Sequence, residues 1–337
     1  MASRDEGEKM IEGIYSNVKG PIDLQLASPY NLIFGRNGSG KSAVIHSIEL
    51  GAFDTAYDAA GKDVKTKGAL ELLAPRGDGL FCHLTVDGEE ISWGDRSKKF
   101  DNVVAMAMRA LTGSHDGLVE FLLTNIDDDD HPIALDIPGW DARVKHHGSY
   151  RKALLEMMKS VGASIRSHQK RMRELAVIQE YIEDNGLEPY FVDNEKDSLE
   201  AQILKSKQLK AKIDKEALIF VKGSFDVVET GINRYLPEEI GRAEFVELGG
   251  KIRLSINGDV VIPSGVETVA LAVALAGALL NGPRALFILP DRAYDPRTLG
   301  WLMRSLRNML CAGVFVQTTV LPEDYDFMSL GWDLVRV

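Results

Sequence analysis

Only two cysteines occur in the 337 residues, Cys82 and Cys311, and they stand in unrelated contexts. That excludes a disulfide framework and a cysteine-based metal motif, and it suits a reducing cytoplasm. Long hydrophobic runs are missing as well. The longest, residues 269–280, falls short of the ~20 residues a membrane helix needs, so it reads as a buried helix and no membrane is expected. No N-terminal apolar stretch leads to a cleavage pattern, which argues against a secretory signal. There is no internal repeat. Low complexity is confined to the acidic run 127–130, which reads as a solvated loop.

What is present is the composition of a folded, soluble chain. Apolar residues make up 45% and charged residues 26%, enough to bury the core of one large domain or two smaller ones. A net charge of −11 is not that of an obvious nucleic-acid binder, but the charge is unevenly spread.

Patterning divides the chain in three. Over 1–142, short apolar runs alternate with Gly, Asp and Pro. Strands are expected at 22–26 and 31–34, a hairpin at 80–86 and 89–93 around Asp87-Gly88, and helices at 43–50, 103–111 and 118–123. Over 143–222 the strand signal vanishes. Leu154, Met158, Val161, Ile165, Met172, Leu175 and Ile178 recur at near three- and four-residue spacing, which predicts one helix over 149–182. The stretch 183–189, with Asn185-Gly186 and Pro189, breaks it, and a second helix is expected over 197–220. The pair makes a helical hairpin with arms of roughly 35–50 Å at 1.5 Å per residue; an ordinary helical subdomain is the alternative. Over 223–337, strands at 245–248, 251–256, 285–289 and 313–318 and helices at 269–280 and 298–310 predict an α/β sheet.

Gly35-Arg36-Asn37-Gly38-Ser39-Gly40-Lys41-Ser42 fits G-x-x-x-x-G-K-[ST], with a strand before it and a helix after it. The glycines let backbone N–H groups turn toward phosphate oxygens. Lys41 would reach the β- and γ-phosphates of ATP, Ser42 would ligate Mg2+, and the helix start at Lys41-Ser42-Ala43 adds its positive dipole end. No N-K-x-D guanine motif occurs, which argues against a GTPase. No Arg-rich lid is legible, which argues against a nucleotide kinase.

The run from Phe34 to Ser42 resembles the phosphate loop of the SMC, Rad50 and RecF group of ABC-type ATPases. In that group the loop lies near the N-terminus and a helical or coiled-coil segment interrupts the ATPase head. The resemblance implies an α/β fold, a P-loop NTPase of ABC type with a helical hairpin insertion. Residues 1–142 would be the N-terminal lobe, 143–222 the insertion and 223–337 the C-terminal lobe. Ile262-Pro263-Ser264-Gly265-Val266-Glu267 resembles the group's signature, usually Ser-Gly-Gly-Glu, with Val266 in place of the second Gly. Ser264 and Glu267 also fit an S-x-x-E capping box, and the N–H groups of such a helix start suit a γ-phosphate; a plain capped, buried helix is the alternative. In the group that phosphate belongs to ATP on the opposite head. The resemblance therefore implies nucleotide contacts from Ser264, Gly265 and Glu267, and a homodimer or a pairing with a related second head.

Ala285-Leu286-Phe287-Ile288-Leu289-Pro290-Asp291 stands where the group has its Walker B strand, which usually ends Asp-Glu, one acid for Mg2+ and one to activate water. Here the slots hold Pro290-Asp291 or Asp291-Arg292. One acid is missing, and Asp291 is the remaining candidate, catalytic with Lys41 and a metal contact with Ser42. Residues 313–319 fall where the group carries a γ-phosphate-sensing His; Gln317, Thr318 and Thr319 are the polar candidates. The group's metal-contacting Gln has no legible counterpart, and Asp295 falls near a subunit-contact Asp. These departures imply slow hydrolysis with ATP binding intact. The hairpin is short and lacks a C-x-x-C hook, so RecF-like and short Rad50-like proteins are nearer than full SMC rods; the compact size resembles phage or mobile-element versions. The implied work is DNA repair, recombination or genome maintenance, with a nuclease partner as a further implication. The alternative is a non-catalytic, nucleotide-dependent scaffold.

Between Arg143 and Arg173 nine Lys and Arg meet one acid, Glu156, and Lys205, Lys207, Lys210, Lys212 and Lys215 follow. Such a segregated basic element predicts duplex DNA backbone contacts, with Arg166, Lys170, Arg171 and Arg173 as the residues. No aromatics are interleaved to stack single-stranded bases. A solvated helix face, or a dock for an acidic partner, is the alternative.

Overall fold

The computed structural model describes residues 10–57, 70–75, 78–95, 100–113, 115–126, 133, 135–185, 190–249, 251–259, 265–290 and 292–337, with backbone alone at 115, 116, 190–193 and 251. In chain order the first elements are β1 (Ile11–Ser16), β2 (Ile22–Gln25), β3 (Tyr30–Phe34), α1 (Lys41–Phe53), β4 (Cys82–Val86), β5 (Glu89–Ser92), β6 (Asp101–Asn102) and α2 (Val103–Thr112). Then come α3 (His115–Asn125), α4 (Trp140–His147), α5 (Tyr150–Asp184), α6 (Tyr190–Lys222) and α7 (Phe225–Tyr235). The last are β7 (Ala243–Leu248), β8 (Lys251–Ile256), α8 (Val266–Leu279), β9 (Ala285–Ile288), α9 (Pro296–Leu306), β10 (Gly313–Thr318) and β11 (Trp332–Arg336). Two compact units result, Met1–Leu118 with Asp226–Val337, and Val119–Phe225.

The first unit is built on a parallel sheet in the order β11-β3-β10-β9-β6. β9 and β10 are buried at every position, as parallel strands covered on both faces must be. An antiparallel sheet in the order β2-β1-β4-β5 packs on the other side of α1. One core joins Ile14, Leu84 and Ile91 of that sheet, Val44, Ile45 and Ile48 of α1, and Ile33, Leu286 and Phe315 of the parallel sheet. Sandwiched between sheets, α1 buries every residue except Ser42 and His46. α8 is likewise buried from Thr268 to Gly277, the state expected of a helix apolar all round.

Several sequence expectations need correction. α8 starts at Val266 with Gly265, not Ser264, as its N-cap, φ 64° and no side-chain cap bond; Ser264 itself lies outside the described residues. The helix expected to reach 310 ends at Leu306, where the amides of Asn308 and Met309 close tight turns on Ser305 and Leu306; Met309 stays 3% exposed, which prolonged the apolar pattern. β1, β6, β11, α4 and α7 had no expectation. β6 is two residues long and exists by pairing with β9, a partner far away in sequence.

The second unit holds the helical hairpin. α5 has 35 residues and α6 has 33, each about 50 Å long at 1.5 Å per residue. Ser149 caps α5, its Oγ accepting from the Lys152 amide at 3.1 Å. Leu175 and Leu199 pack together with Met172 and Ile182. Ile178, expected on the packed face, is 41% exposed. α6 begins at 190 rather than 197, which brings Glu195 onto the helix opposite Arg171. The acidic run 127–130 lies outside the described residues. Among the described residues no helix is long and apolar enough to cross a membrane.

Candidate nucleotide site

In the register of the parallel sheet, Phe34 pairs with Thr318, Ile288 with Phe315, and Asn102 with Leu286. The carboxyl ends of β3, β10, β9 and β6 therefore share one edge, where open α/β sheets take their ligands. β3 runs into the glycine loop there. Gly35 N–H donates to the Thr318 carbonyl at 3.3 Å and Ser39 N–H to that of Arg36 at 3.1 Å. Gly38 and Gly40 have φ of 80° and 110°, conformations that glycine adopts without strain. Residues 36–40 are exposed. Gly40 is the N-cap of α1 and offers no side-chain cap, which leaves the first amides of the helix for an anion.

Lys41 is 6% exposed and lies beneath the loop, its Nζ donating to the carbonyls of Gly35 at 2.9 Å and Arg36 at 3.0 Å. An ammonium has three donors, so one remains. Ala43, expected among the nucleotide contacts, closes its own N–H on the Gly40 carbonyl at 2.8 Å.

Two cavities flank the loop. One, of about 300 Å³, lies between the β1–β2 turn, Val18 to Pro21, and Ser39, Gly40 and Ala43. The other, of about 250 Å³, is walled by Ser42, His46 and Glu49 of α1, Asn102, Leu289, Pro290 and Gln317. Of the three polar candidates at the end of β10, only Gln317 lines it. Gln317 is 4% exposed and its Oε1 has no hydrogen-bond partner among the described residues. The Thr318 hydroxyl is instead bonded to the backbone of Val320, and Thr319 is exposed.

Among the lining residues that sequence reasoning missed are Asn102, His46 and Glu49. Asn102 ends β6 and caps α2, its Oδ1 accepting from the Ala105 amide at 3.1 Å; an Asn just ahead of a helical pattern was the available signal. His46 and Glu49 follow Ser42 at the four- and seven-residue spacing of one helix face. His46 Nδ1 lies 3.1 Å from Glu49 Oε2, and the Tyr57 amide donates to the same oxygen at 3.1 Å. Burial pushes the Glu49 carboxyl above its ordinary value, against the opposing pull of His46.

Asp291 and Ser264 lie outside the described residues. The end of β9 reaches the cavity through Leu289 and Pro290, and Tyr294 Oη donates to the Pro290 carbonyl at 2.9 Å. Asp295 caps α9, and bonding from the Thr298 hydroxyl and amide holds its carboxyl below the usual range. Gly265 and Glu267 are exposed at the start of α8 and line neither cavity. No group of three or more His, Cys, Asp or Glu able to hold a metal occurs among the described residues. The oxygens of Ser42 and Gln317 on one cavity wall do suit a hard cation that arrives with a phosphate ligand.

On the helical unit, the four basic residues are not equivalent. Arg171 is tied to Glu195 at 2.8 Å and Glu174 at 3.5 Å, and Lys170 lies 3.8 Å from Glu174. The bond to Glu195 raises the already high pKa of Arg171. Arg166 and Arg173 have no ion-pair partner among the described residues.

No protein-family model matches the chain, and no curated protein does. Solved structures similar to it include the Smc head domain with an extended coiled coil, bound to the C-terminal domain of ScpA, from Pyrococcus furiosus, at 14% identity over 96% of this chain and 92% of that one, with a TM-score of 0.40. The recombination mediator protein RecF with ATP is similar at 13% identity over 95% and 94%, TM-score 0.43. The Smc head domain with a coiled coil and joint from Pyrococcus yayanosii is similar at 12% over 92% of each chain, TM-score 0.40. Likeness at identities and TM-scores this low is one of outline only; the chemistry of the site is carried by this chain's own residues.

Proposed function

We propose that this chain is an ATP-binding switch of the ABC/SMC type that holds Mg·ATP at Gly35 to Ser42. The observation that carries the reading is the loop at the carboxyl edge of the parallel sheet, with Lys41 folded beneath it on loop carbonyls. Lys41 would exchange those carbonyls for phosphate oxygens, the free amides at the start of α1 would receive a phosphate, and the buried Gln317 side chain would orient groups beside it. Ser42 would hold Mg2+, which would supply charge neutralisation at the phosphates. Isothermal titration tests the reading: wild type binds Mg·ATP and Lys41→Ala does not. Equal affinity in the two would overturn it.

Hydrolysis is slow in this reading. Among the described residues the one carboxylate lining the 250 Å³ cavity beside Ser42 is Glu49, which its His46 and Tyr57 bonds already occupy. A positioned general base is worth about 10²–10⁴-fold in rate. Asp291 is the acid left to supply one. ATP would join two heads, with Ser264 and Gly265 of one set against the loop of the other, an isologous two-fold contact. The scaffold reading, in which ATP locks an interface without turnover, is favoured by Pro290 at the first acid slot of β9.

The helical unit is the DNA-contacting part. Its charge is polarised: residues 143–173 and 205–222 hold 15 Lys and Arg against 3 Asp and Glu, whereas residues 174–200 hold 1 against 9. Duplex DNA would meet the basic halves of α5 and α6 and be repelled by the acidic turn between them. The contacts neutralise phosphates without sequence readout, so affinity falls with salt at a log–log slope of about −0.9 per phosphate. The process served is genome maintenance.

A further inference from the structure

We propose that His46 supplies a ring nitrogen to the divalent cation that accompanies the nucleotide, and that the site therefore prefers Mn2+ to Mg2+. The inference rests on the nucleotide reading above and adds a ligand and a cation preference to it. It starts from α1. Every residue of that helix is buried except Ser42 and His46, and both line the same 250 Å³ cavity. They stand four apart, on one helix face, the spacing at which two side chains share a metal. Side chains on a helix lean toward its N-terminus, so His46 leans toward Ser42.

The tautomer is set by Glu49. Its Oε2 accepts from the Tyr57 amide and faces His46 Nδ1, both at 3.1 Å. With Glu49 as a carboxylate, Oε2 would accept from both the Tyr57 amide and Nδ1, which would leave the hydrogen on Nδ1 and the lone pair on Nε2. A buried carboxylate behind an imidazole is the arrangement that fixes ring orientation and raises basicity in metal-ligating histidines. Glu49 is 3% exposed, and the proposed nucleotide chemistry does not otherwise use it.

The rest of the cavity makes room for such a ligand. Where β9 ends, Pro290 lines the wall, and a proline side chain has no donor atom. Gln317 Oε1 is buried there without a partner, an acceptor that a cation or its water would satisfy. Ser42, Gln317 and phosphate oxygens would serve either cation. An imidazole nitrogen favours first-row transition metals over Mg2+, which takes oxygen ligands and keeps its waters.

The test uses the full chain with Mn2+ and ATP. Pulsed electron paramagnetic resonance of the complex shows nitrogen-14 modulation from a coordinated imidazole in the wild type. His46→Asn keeps an amide donor toward Glu49, lacks Nε2, and loses the modulation. In parallel titrations ATP binds more tightly with Mn2+ than with Mg2+. Glu49→Gln weakens Mn2+ binding by about 10–100-fold, the usual effect of removing an outer-shell partner, and His46→Asp shifts the preference back toward Mg2+. Bound Mn·ATP without nitrogen modulation in the wild type, or modulation that survives in His46→Asn, would overturn the assignment of His46 and leave the nucleotide reading standing. ATP that binds with neither cation overturns the nucleotide reading itself, and the assignment falls with it.

Discussion

Gln317 is held in the core with an acceptor that nothing in the described structure satisfies. Leaving such an atom unpaired costs about 1–3 kcal/mol, a cost that persists where a ligand relieves it. Gln317→Leu, of similar size and without the orphaned oxygen, should raise stability by about 1 kcal/mol while weakening Mg·ATP binding, read by urea melts and titration on the same samples. A loss of stability would show that the side chain serves packing rather than a ligand. Cys82 behaves oppositely. Its thiol is buried, donates to the Ser47 carbonyl at 2.9 Å, and is pushed up to about 12 by burial. Thiolate is the reactive form, so at neutral pH alkylation of the folded chain should modify Cys311, which is half-buried, and reach Cys82 only in denaturant. Peptide mapping after a timed iodoacetamide pulse checks this.

The helices differ in why they can be read. α5 shows its period because its faces differ. α1 and α8 do not, because sheet or helix covers them on nearly every side, so no polar stripe marks their boundaries and only the glycine loop and Gly265 do. In the hairpin, an ordinary count of charges along α5 made Arg166, Lys170, Arg171 and Arg173 look alike. The neighbouring helix distinguishes them, since Glu195 holds Arg171 from across the pair and Glu174 holds both Arg171 and Lys170 along the helix. Exposed pairs of this kind are weak and salt-screened, so they would compete with DNA without preventing its binding. Glu174→Gln with Glu195→Gln should tighten duplex binding and steepen its salt dependence, whereas Arg166→Glu with Arg173→Glu should abolish it without changing ATP affinity. Fluorescence anisotropy across a salt series measures both. Duplex DNA that fails to bind any of these proteins at low salt would leave the scaffold reading in front.

In the proposed assembly, the acid lacking after β9 and the exposed start of α8 would act together. If ATP joins two heads and is hydrolysed slowly, the joined state outlives many collisions and can be isolated. Light scattering in Mg·ATP should report a dimer that ADP does not support, and turnover should lie well below the ~10 s⁻¹ of a median enzyme. Asp291→Asn should prolong the dimer. A chain that stays monomeric at concentrations well above its ATP affinity, alone and with a related second head, would contradict the isologous contact.

Local chemistry alone determined the loop, the turns and the long helix. Gly38 and Gly40 in the loop, Asp87-Gly88 between β4 and β5, and Asn257-Gly258 in the turn after β8 all take positive φ, and such conformations are chosen by the residues at those positions. The periodicity of α5 and the apolar run of β10 are local in the same sense. Only the tertiary structure decided which polar groups meet. β6 is too short to be a strand without β9 beside it. Gln317, and not Thr318, lines the cavity because neighbours on β10 face opposite ways, and the Thr318 hydroxyl bonds Val320 instead. His46 was one more helical residue until Glu49 and the Tyr57 amide oriented it, and Arg171 one more cation until α6 started early enough to set Glu195 against it. A backbone preference is a property of a few neighbouring residues, whereas the partner of a buried polar atom is set by packing between segments that the sequence holds far apart.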